Sequence, residues 1–364
     1  MPAYLETRNL TKRYGNVRGI DDVSFSCAEG SFTVLLGPSG AGKTTTLHII
    51  AGILQETSGD VLRRGESLRT LPPQGRGVSM VFEDYALYPT YSVYENIASP
   101  LRLRKVEAAE VDARVQKIAK LIGIDAHLAK LPSQISGGQK QRTALARCLI
   151  RDAEIYLLDE PIAHLDAKLR HRVRGELKRV HKDLGKTMLY VTHDYREALA
   201  LADSIVILDQ GKVVQIGSPE EVFDRPRNVF VATLLGEPPM NLVRFEEARS
   251  EADGLVLVKG GRSIRLPAPG DGRTRARVRL GFRHFAAALQ PHDDGACCLE
   301  GSVYVSELME DSKVYSVMVG DDLVKVLTQR DVRYEINQRL YIRLDPGAVY
   351  LFDGETGERI AGGA

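Results

Sequence analysis

The sequence predicts an α/β domain built on a mostly parallel, covered sheet, followed by a smaller all-β domain. In the first part of the chain, short apolar runs typical of buried strands alternate with segments of helical spacing, an order that favours a parallel sheet covered by helices. The pattern changes at Gly236–Asn241, and from there to Ala364 short strand-like runs are separated by frequent glycine turns, which is typical of a small β-barrel. We therefore expect two domains, 1–235 and 236–364, with a helical subdomain at about 88–150 in the first.

Composition and charge exclude several classes of function. The chain has 364 residues and a formal net charge of +1, so bulk electrostatics do not indicate a nucleic-acid partner, and none is expected. The four cysteines show no metal-ligand spacing. So few cysteines in a chain of this length favour a reducing cytosolic compartment. We expect no signal peptide, and no apolar run approaches the roughly 20 residues that span a bilayer. Any membrane attachment is therefore expected to come through a partner.

The chain begins with two predicted antiparallel strands, 4–10 and 17–27, joined by a turn that carries Tyr14. A lone aromatic residue near such a turn would more often serve packing. Beside a phosphate-binding loop, however, a flat ring is also suited to stack on an adenine. The next segment decides which interpretation is favoured.

The segment Gly37–Thr44 fits the phosphate-loop pattern G-x-x-x-x-G-K-[ST]. It lies between Phe32–Leu36, an apolar run predicted to be a buried strand, and Thr45–Ala51, whose apolar residues have helical spacing. Glycines let the backbone curl so that N–H groups point at phosphate oxygens, and the helix N-terminus adds partial positive charge. Lys43 can reach the β- and γ-phosphates of ATP, and Thr44 can place a hydroxyl on Mg²⁺. The predicted phosphate-binding residues are Gly37, Pro38, Ser39, Gly40, Ala41, Gly42, Lys43, Thr44 and Thr45.

Helices dominate the region that follows. An edge hairpin within 59–71 and a buried strand at 78–82 are predicted first, and the chain then leaves the sheet at Glu83–Pro89. Ser92–Glu95 resembles a capping box, and Val106–Gly123 has amphipathic spacing that ends at a glycine, as helices often do. These signals predict the helical subdomain.

A second glycine-rich segment, Ser136–Gln139, opens the last helix of this subdomain. A serine and two glycines at a helix start can form an anion-binding nest. A whole helical insertion separates this nest from the phosphate loop, which predicts that it serves the nucleotide of another subunit. If the segment stood alone, an ordinary Ser-Gly-Gly helix start would be the favoured interpretation.

Three polar residues end two predicted buried strands. The run Glu154–Glu160 finishes in Asp159 and Glu160, which are suited to hold the Mg²⁺ shell and to act as general base, respectively. His193 follows the strand Thr187–Thr192. A lone histidine is usually structural, but one at a sheet end beside a phosphate loop is expected to contact the γ-phosphate and to hold the water-activating group in place.

Taken in order along the chain, these motifs resemble those of the ATPase subunits of ATP-binding cassette (ABC) transporters. The resemblance implies that Tyr14 stacks on adenine and that Glu83, at the Q-loop position, takes part in the Mg²⁺ site. It also implies that Asp166, in the D-loop Ala163–Asp166, assists the ATP site of the partner subunit. The residues implied to complete that partner site are Ser136, Gly137, Gly138, Gln139 and Asp166.

The same resemblance implies function and partners. It implies import of a sugar, polyol or glycerol phosphate, energised by ATP in a dimer of identical or paralogous cassettes at the cytoplasmic face of the bacterial inner membrane. Two permease subunits would dock near Glu83–Pro89, an external solute-binding protein would act indirectly, and the β-rich tail would be an oligonucleotide-binding-like (TOBE) regulatory domain.

Departures from the family pattern leave an alternative open. Glu83 stands where glutamine is usual, Ile135 replaces a leucine, and Ala163-His164 replaces Ser-Asn. The acidic Q-loop residue favours, as the alternative, a low-activity cassette that pairs with a more active paralogue. A soluble cassette protein of repair or translation is disfavoured, because the chain has one cassette, no long coiled-coil insertion and a β-rich tail.

Overall fold

The chain folds into two compact units, Met1–Pro219 and Glu220–Ala364. None of the helices in the described part of the chain is long and apolar enough to cross a membrane. The computed structural model describes residues 3–163, 165–251, 254–266, 274–293, 297–309 and 311–362.

In the described residues before Pro219, the first unit has two sheets and six α-helices. Its strands are β1 (Ala3–Tyr14), β2 (Val17–Ala28), β3 (Phe32–Leu36), β4 (Ser58–Arg63), β5 (Glu66–Ser67), β6 (Val78–Val81), β7 (Ile155–Asp159), β8 (Thr187–Thr192), β9 (Ser204–Asp209) and β10 (Lys212–Gly217). Its helices are α1 (Lys43–Ala51), α2 (Val93–Leu103), α3 (Ala108–Ile122), α4 (Gly137–Leu149), α5 (Ala167–Leu184) and α6 (Tyr195–Leu201).

The larger sheet has the strand order β10-β9-β3-β8-β7-β6, and only β10 runs antiparallel to its neighbour. Every residue of β3, β7 and β8 is buried, while α1 packs against β7 and β8, and α6 packs against β3 and β8. The predicted parallel, covered sheet is confirmed. Leu36 is in register with Thr192, and Asp159 with Val191, so the segments that leave these three strands begin side by side.

Local signals explain where the helices begin and end. Ser92 caps α2 with the predicted capping box, in which Glu95 supplies the reciprocal bond. The helix α3 ends at Gly123, whose left-handed conformation suits glycine. The helices α2, α3 and α4, which follow β6 and precede β7 in the chain, pack on one another; that they form a separate helical subdomain stays a prediction. The smaller sheet, β2-β1-β4-β5, is antiparallel.

The second unit consists mainly of antiparallel strands. Their order is β13-β12-β11-β14-β20-β21 in one sheet and β15-β19-β16-β17-β18 in the other, and both sheets contribute side chains to one hydrophobic core. That these sheets form an oligonucleotide-binding-like barrel remains a prediction. The elements are α7 (Pro219–Asp224), α8 (Val229–Leu234), β11 (Asn241–Glu251), β12 (Gly254–Lys259), β13 (Arg262–Leu266), β14 (Arg275–Phe282), β15 (Ala287–Gln290), β16 (Cys298–Leu308), β17 (Ser312–Val319), β18 (Asp322–Gln329), β19 (Arg339–Leu344), β20 (Val349–Asp353) and β21 (Arg359–Gly362).

The compact second unit starts earlier than the predicted boundary at 235/236. The guanidinium of Arg283, which is 3% exposed, donates to the carbonyls of Leu235 at 2.6 Å and Phe223 at 2.9 Å. The backbone N–H of Val229 donates to the carbonyl of Gly357 at 2.9 Å. These bonds attach α7 and α8 to the strands of the second unit, so both helices fold with it.

Candidate functional site

The predicted phosphate loop connects β3 to α1 and takes a shape that its glycines permit. Gly40 and Gly42 have φ values of +79° and +96°, and a Cβ at Gly37 would lie 2.2 Å from the Leu208 carbonyl oxygen. The Nζ of the buried Lys43 donates to the carbonyls of Gly37 and Pro38, both at 2.9 Å. The Lys43 side chain is therefore folded back over the predicted phosphate loop.

Burial lowers the pKa of Lys43, and the nearby carboxylates Glu160, Asp159 and Glu83 oppose that shift. The ammonium group thus lies in an acidic environment. A triphosphate entering the loop would meet the Lys43 ammonium together with the charge of three carboxylates, which a bound divalent cation would offset.

Thr44 and Asp159 meet directly at the start of α1. The Thr44 hydroxyl donates to Oδ1 of Asp159 at 3.2 Å, and Asp159 is 1% exposed. Burial raises the pKa of Asp159 to about 6; the bond from Thr44 opposes this effect, while Glu83 and Glu160 add to it. A hydroxyl and a carboxylate oxygen side by side are ligands of the type that Mg²⁺ prefers.

Glu83 shares a cavity with this pair. The cavity has a volume of about 450 Å³ and is lined by Thr44, His48, Phe82, Glu83, Asp84 and Asp159. Among the residues described, no group of three or more His, Cys, Asp and Glu side chains is arranged to hold a metal by itself. The Thr44 hydroxyl and the carboxylates of Asp159 and Glu83, which line this cavity, fit Mg²⁺, which usually binds through one or two carboxylates together with substrate phosphates and water.

Glu160 and His193 form a second polar pair. Nδ1 of His193 lies 2.9 Å from Oε2 and 3.0 Å from Oε1 of Glu160. The His193 side chain is 58% exposed and that of Glu160 is 16% exposed, so the carboxylate is shielded while the imidazole faces solvent. Glu160 has φ of +44°, and its N–H donates to the Val191 carbonyl at 3.1 Å. A sparsely populated backbone conformation that is held in this way is typical of functional sites.

Tyr14 lies at the end of β1, and the residue is 47% exposed. A Cβ at Gly19 would lie 2.7 Å from Cε2 of Tyr14, so the ring covers this glycine. A Cβ at Gly42 would lie 2.8 Å from the Gly19 carbonyl oxygen. One residue of β2 therefore separates the Tyr14 ring from the phosphate loop.

The Ser136–Gln139 segment starts α4 as predicted. Ser136 caps the helix, and Oε1 of Gln139 accepts a hydrogen bond from the Ser136 N–H at 2.9 Å. Because that bond fixes the amide, Nε2 of Gln139 points to Nε2 of His127, 2.9 Å away. A Cβ at Gly137 would meet open space, whereas one at Gly138 would lie 2.8 Å from Cδ2 of Leu165. One side of the segment is thus open and the other is packed.

Asp166 caps α5 by accepting the Leu169 N–H at 2.9 Å. Arg170, on the first turn of that helix, donates to the carbonyls of Ala163 at 3.0 Å and Leu165 at 3.1 Å. Its guanidinium also lies 3.4 Å from the Asp194 carboxylate. Arg170 therefore holds the segment between Glu160 and α5; His164 of this segment lies outside the described residues.

The structure brings one set of predicted residues together and keeps another apart from it. The residues that lie together around the phosphate loop, as contacts or as charges that act on the pKa of Lys43 or Asp159, are Lys43, Thr44, Glu83, Asp159, Glu160 and His193. Ser136–Gln139 instead contacts His127 and Leu165 of its own chain. Two contributors were not predicted from the sequence: Arg170, and Gln141, whose Nε2 donates to the Glu160 carbonyl at 3.2 Å. The spacing of Arg170 one helical turn after the cap Asp166 is a signal that could have identified it.

The turn after Glu83 has an unusual backbone. Tyr85 and Ala86 have φ of +66° and +43°, and Arg147 of α4 donates to both of their carbonyls at 2.8 Å. The Arg147 guanidinium lies 5.5 Å from the Tyr88 ring centroid. Beside this turn is a groove of about 810 Å³ lined by residues of the sheet and the helical subdomain, including Met80, Phe82, Ala86, Tyr88, Leu103 and Arg147.

Comparison with known proteins extends these findings. Residues 20–163 match the family described as ABC transporter. The chain is 40% identical over 360 residues to the sulfoquinovosyl glycerol transport ATP-binding protein SmoE of Agrobacterium fabrum, with 97% of this chain and 98% of SmoE covered. It is 38% identical over 364 residues to the sn-glycerol-3-phosphate import ATP-binding protein UgpC of Chromobacterium violaceum, with 98% and 96% covered.

A similar solved structure is that of an ATP-binding cassette, described as the dimeric structure of a post-hydrolysis state bound to ADP and Pi. It has a TM-score of 0.55 and 29% identity, and the match covers 59% of this chain and 98% of that chain. The fold of the first unit is thus that of a cassette seen elsewhere as a dimer.

Proposed function

Because the chain belongs to the ATP-binding subunits of ABC transporters, we propose that it hydrolyses ATP to energise bacterial import of a sugar, polyol or glycerol phosphate. One observation carries the ATPase assignment. The pairs Thr44–Asp159 and Glu160–His193 lie beside Lys43, where the neighbouring parallel strands β7 and β8 end. The solute class is supported by two relatives that match nearly the whole chain and are named for transport of sulfoquinovosyl glycerol and of glycerol 3-phosphate.

ATP binding is assigned to the loop Gly37–Thr45 and to Tyr14. Backbone N–H groups of the loop and the α1 N-terminus would receive the phosphates, and Lys43 would exchange its bonds to two loop carbonyls for bonds to the β- and γ-phosphates. The Tyr14 ring would stack on the adenine. Mg²⁺, when bound, neutralises phosphate charge; Thr44 and Asp159 would hold it, with Glu83 on the same cavity wall.

Hydrolysis is assigned to Glu160. Its carboxylate would accept a proton from the attacking water as general base, and the bond from Nδ1 of His193 holds that carboxylate in one orientation. The exposed face of His193 is free to reach toward the γ-phosphate. The chemistry therefore needs both strand-end residues in the arrangement that the parallel register imposes.

A second subunit, identical or paralogous, would complete each site. The open side of Ser136–Gln139 is suited to receive the γ-phosphate of ATP bound to the partner. Asp166 would assist at the same ATP site. This part of the proposal is supported by the exposed glycine at 137 and by the dimeric state of the similar cassette. ATP would then join two subunits, and hydrolysis would release them.

The groove beside Glu83–Pro89 is the site we assign to the permease subunits. It combines apolar walls with the arginine-held turn at Tyr85 and Ala86. Two permeases would place the chain at the cytoplasmic face of the inner membrane as a peripheral subunit, and an external solute-binding protein would deliver the solute. The second unit is assigned as a TOBE-type regulatory domain on its two antiparallel sheets.

A second candidate function follows from Glu83. Its carboxylate adds to the effects that raise the pKa of Asp159, so it places extra negative charge where the γ-phosphate must bind. A cassette that is slowed in this way would act mainly as the partner of a more active paralogue. Turnover of the purified homodimer separates the two functions.

The direct test is phosphate release by the purified chain with Mg²⁺ and ATP, beside Lys43→Ala. We expect ATP-dependent release that the variant lacks. Membrane vesicles that hold the chain with its permeases and binding protein then test the solute: glycerol phosphates or sugar glycosides should stimulate hydrolysis. Stimulation by amino acids in their place would contradict the proposed solute class.

A further inference from the structure

Gln141 makes a buried contact that links the signature segment to the proposed general base. It lies two positions after Ser136–Gln139 on α4 and is 1% exposed. Its Nε2 donates to the backbone carbonyl of Glu160 at 3.2 Å. A carbonyl can only accept, so this bond fixes the amide orientation. Oε1 of Gln141 is then left without a hydrogen-bond partner among the residues described.

The bond acts on a residue whose backbone needs support. Glu160 has φ of +44°, which non-glycine residues rarely adopt. Its N–H is held by the Val191 carbonyl at 3.1 Å, and its carbonyl accepts from Ala163 N at 3.3 Å as well as from Gln141. Because Gln141 fixes the peptide plane that follows Glu160, it helps to set the direction in which the Glu160 side chain leaves the backbone.

Gly138 provides an independent contact between the same two segments. A Cβ there would lie 2.8 Å from Cδ2 of Leu165, so the helix backbone approaches Leu165 closely. Residues 138 and 141 are three positions apart and share one face of α4. That face therefore lies against the Glu160–Leu165 segment at two points, and the two elements are expected to shift together.

Packing alone does not account for a glutamine at position 141. A methionine has a similar shape and would leave no orphaned acceptor, and a buried acceptor without a partner is unfavourable. The feature that glutamine supplies and methionine lacks is the bond donated to Glu160.

We propose that Gln141 is a positioning residue, through which the helix that begins with Ser136–Gln139 holds the Glu160 general base of its own chain. The proposal rests on the proposed function, in which Ser136–Gln139 binds the ATP of the partner subunit. Engagement of the partner's ATP at one end of α4 is then transmitted to Glu160 through Gln141, which couples the two ATP sites of the dimer.

The test compares Gln141→Met with Lys140→Met, the same replacement at the preceding position. Gln141→Met should lower kcat about tenfold, within the range that mispositioning of a reacting group costs. Its ATP affinity and its ATP-driven dimerisation in a Glu160→Gln background should change less than twofold. The dependence of rate on ATP concentration should also become less cooperative. Its melting temperature should not fall, because the orphaned acceptor is removed together with the bond.

Two results would overturn the inference: a kcat equal to that of Lys140→Met, or a loss of dimerisation as large as the loss of kcat. Hydrogen exchange at the backbone N–H groups of Glu160 and Ala163 gives a readout that needs no hydrolysis and should accelerate in Gln141→Met. If the wild-type chain binds ATP but never hydrolyses it, the proposed function fails, and the exchange rates still decide whether Gln141 holds Glu160. Should Gln141→Met not fold, Gln141→Leu is the second variant.

Discussion

Nδ1 of His193 lies 2.9 Å from Oε2 of Glu160, and each of these residues directly follows one of two neighbouring parallel strands, β8 and β7. The pair is therefore positioned by the sheet itself. A carboxylate held by an imidazole that is open to solvent can take a proton from water and pass it on.

His193→Ala should reduce ATP hydrolysis by about 100-fold or more, because the general base loses the group that orients it. ATP affinity should fall far less than the rate, since the phosphate loop is untouched and only the contact of His193 with the γ-phosphate is lost. Rates and affinities are measured on the purified chain, and His171→Ala, an exposed histidine of α5, is the control. Hydrolysis at the wild-type rate in His193→Ala would show that the 2.9 Å contact has no catalytic consequence.

Asp159 should make the metal-free and nucleotide-free fold less stable as pH rises. Burial raises its pKa from 3.8 to about 6, so between these values the folded chain binds more protons than the unfolded chain, and stability falls with rising pH. At about 1.4 kcal/mol for each pKa unit, the cost at neutral pH is about 3 kcal/mol.

Asp159→Asn should remove that cost. Unfolding followed at pH 4 and pH 7 should show the variant more stable than wild type at pH 7, with little difference at pH 4. Asp183→Asn, an exposed position on α5, should show no such pH dependence. A difference between Asp159→Asn and wild type that is the same at both pH values would refute the assigned cause.

Arg170→Leu should destabilise the segment between Glu160 and α5. The variant leaves two backbone carbonyls, those of Ala163 and Leu165, without their donor, at a cost of about 1–3 kcal/mol. It should also impair hydrolysis, because that segment begins at the general base. Arg179→Leu removes an exposed arginine from the same helix and should change unfolding by less than about 0.5 kcal/mol. Equal effects of the two substitutions would contradict the role given to Arg170.

Glu83→Gln should raise kcat several-fold. It removes one carboxylate from the cavity that holds Thr44 and Asp159, and repulsion between that carboxylate and the γ-phosphate disappears with it. ATP binding measured without divalent cation should tighten as well. Steady-state hydrolysis of both proteins, with and without the membrane subunits, is the measurement. An unchanged rate would identify Glu83 as a tolerated variant and would favour the homodimeric engine over the alternative function.

The sequence predicted the elements whose patterns are local. The phosphate loop, the buried strands β7 and β8 and the capping box of α2 each depend on neighbouring residues, and all lie where expected. In the second part of the chain, apolar alternation predicts strands at 255–259, 263–266, 277–281, 299–308, 313–319, 322–328 and 338–344. It does not predict the strands β11, β15, β20 and β21. In β11, charged residues that face solvent alternate with the buried Val243, Phe245 and Ala248, so the apolar signal is diluted.

Contacts between distant segments could not be read from local pattern. The bonds of Arg170 to the carbonyls of Ala163 and Leu165 and of Gln141 to that of Glu160 depend on how helices are placed beside the sheet. The early start of the second unit depends on Arg283, which reaches carbonyls 48 and 60 positions before it. Spacing along the chain carries no signal for such pairs.

In the proposed dimer, two chains share ATP sites in which Glu160 is the general base. The mass of Glu160→Gln in solution, measured by light scattering with and without ATP, tests this arrangement when phosphate release is followed in parallel and Lys43→Ala is the control. We expect ATP to increase the association of Glu160→Gln without phosphate release, and we expect neither association nor release for Lys43→Ala. Normal hydrolysis by Glu160→Gln, or association that does not depend on ATP, would contradict the shared sites.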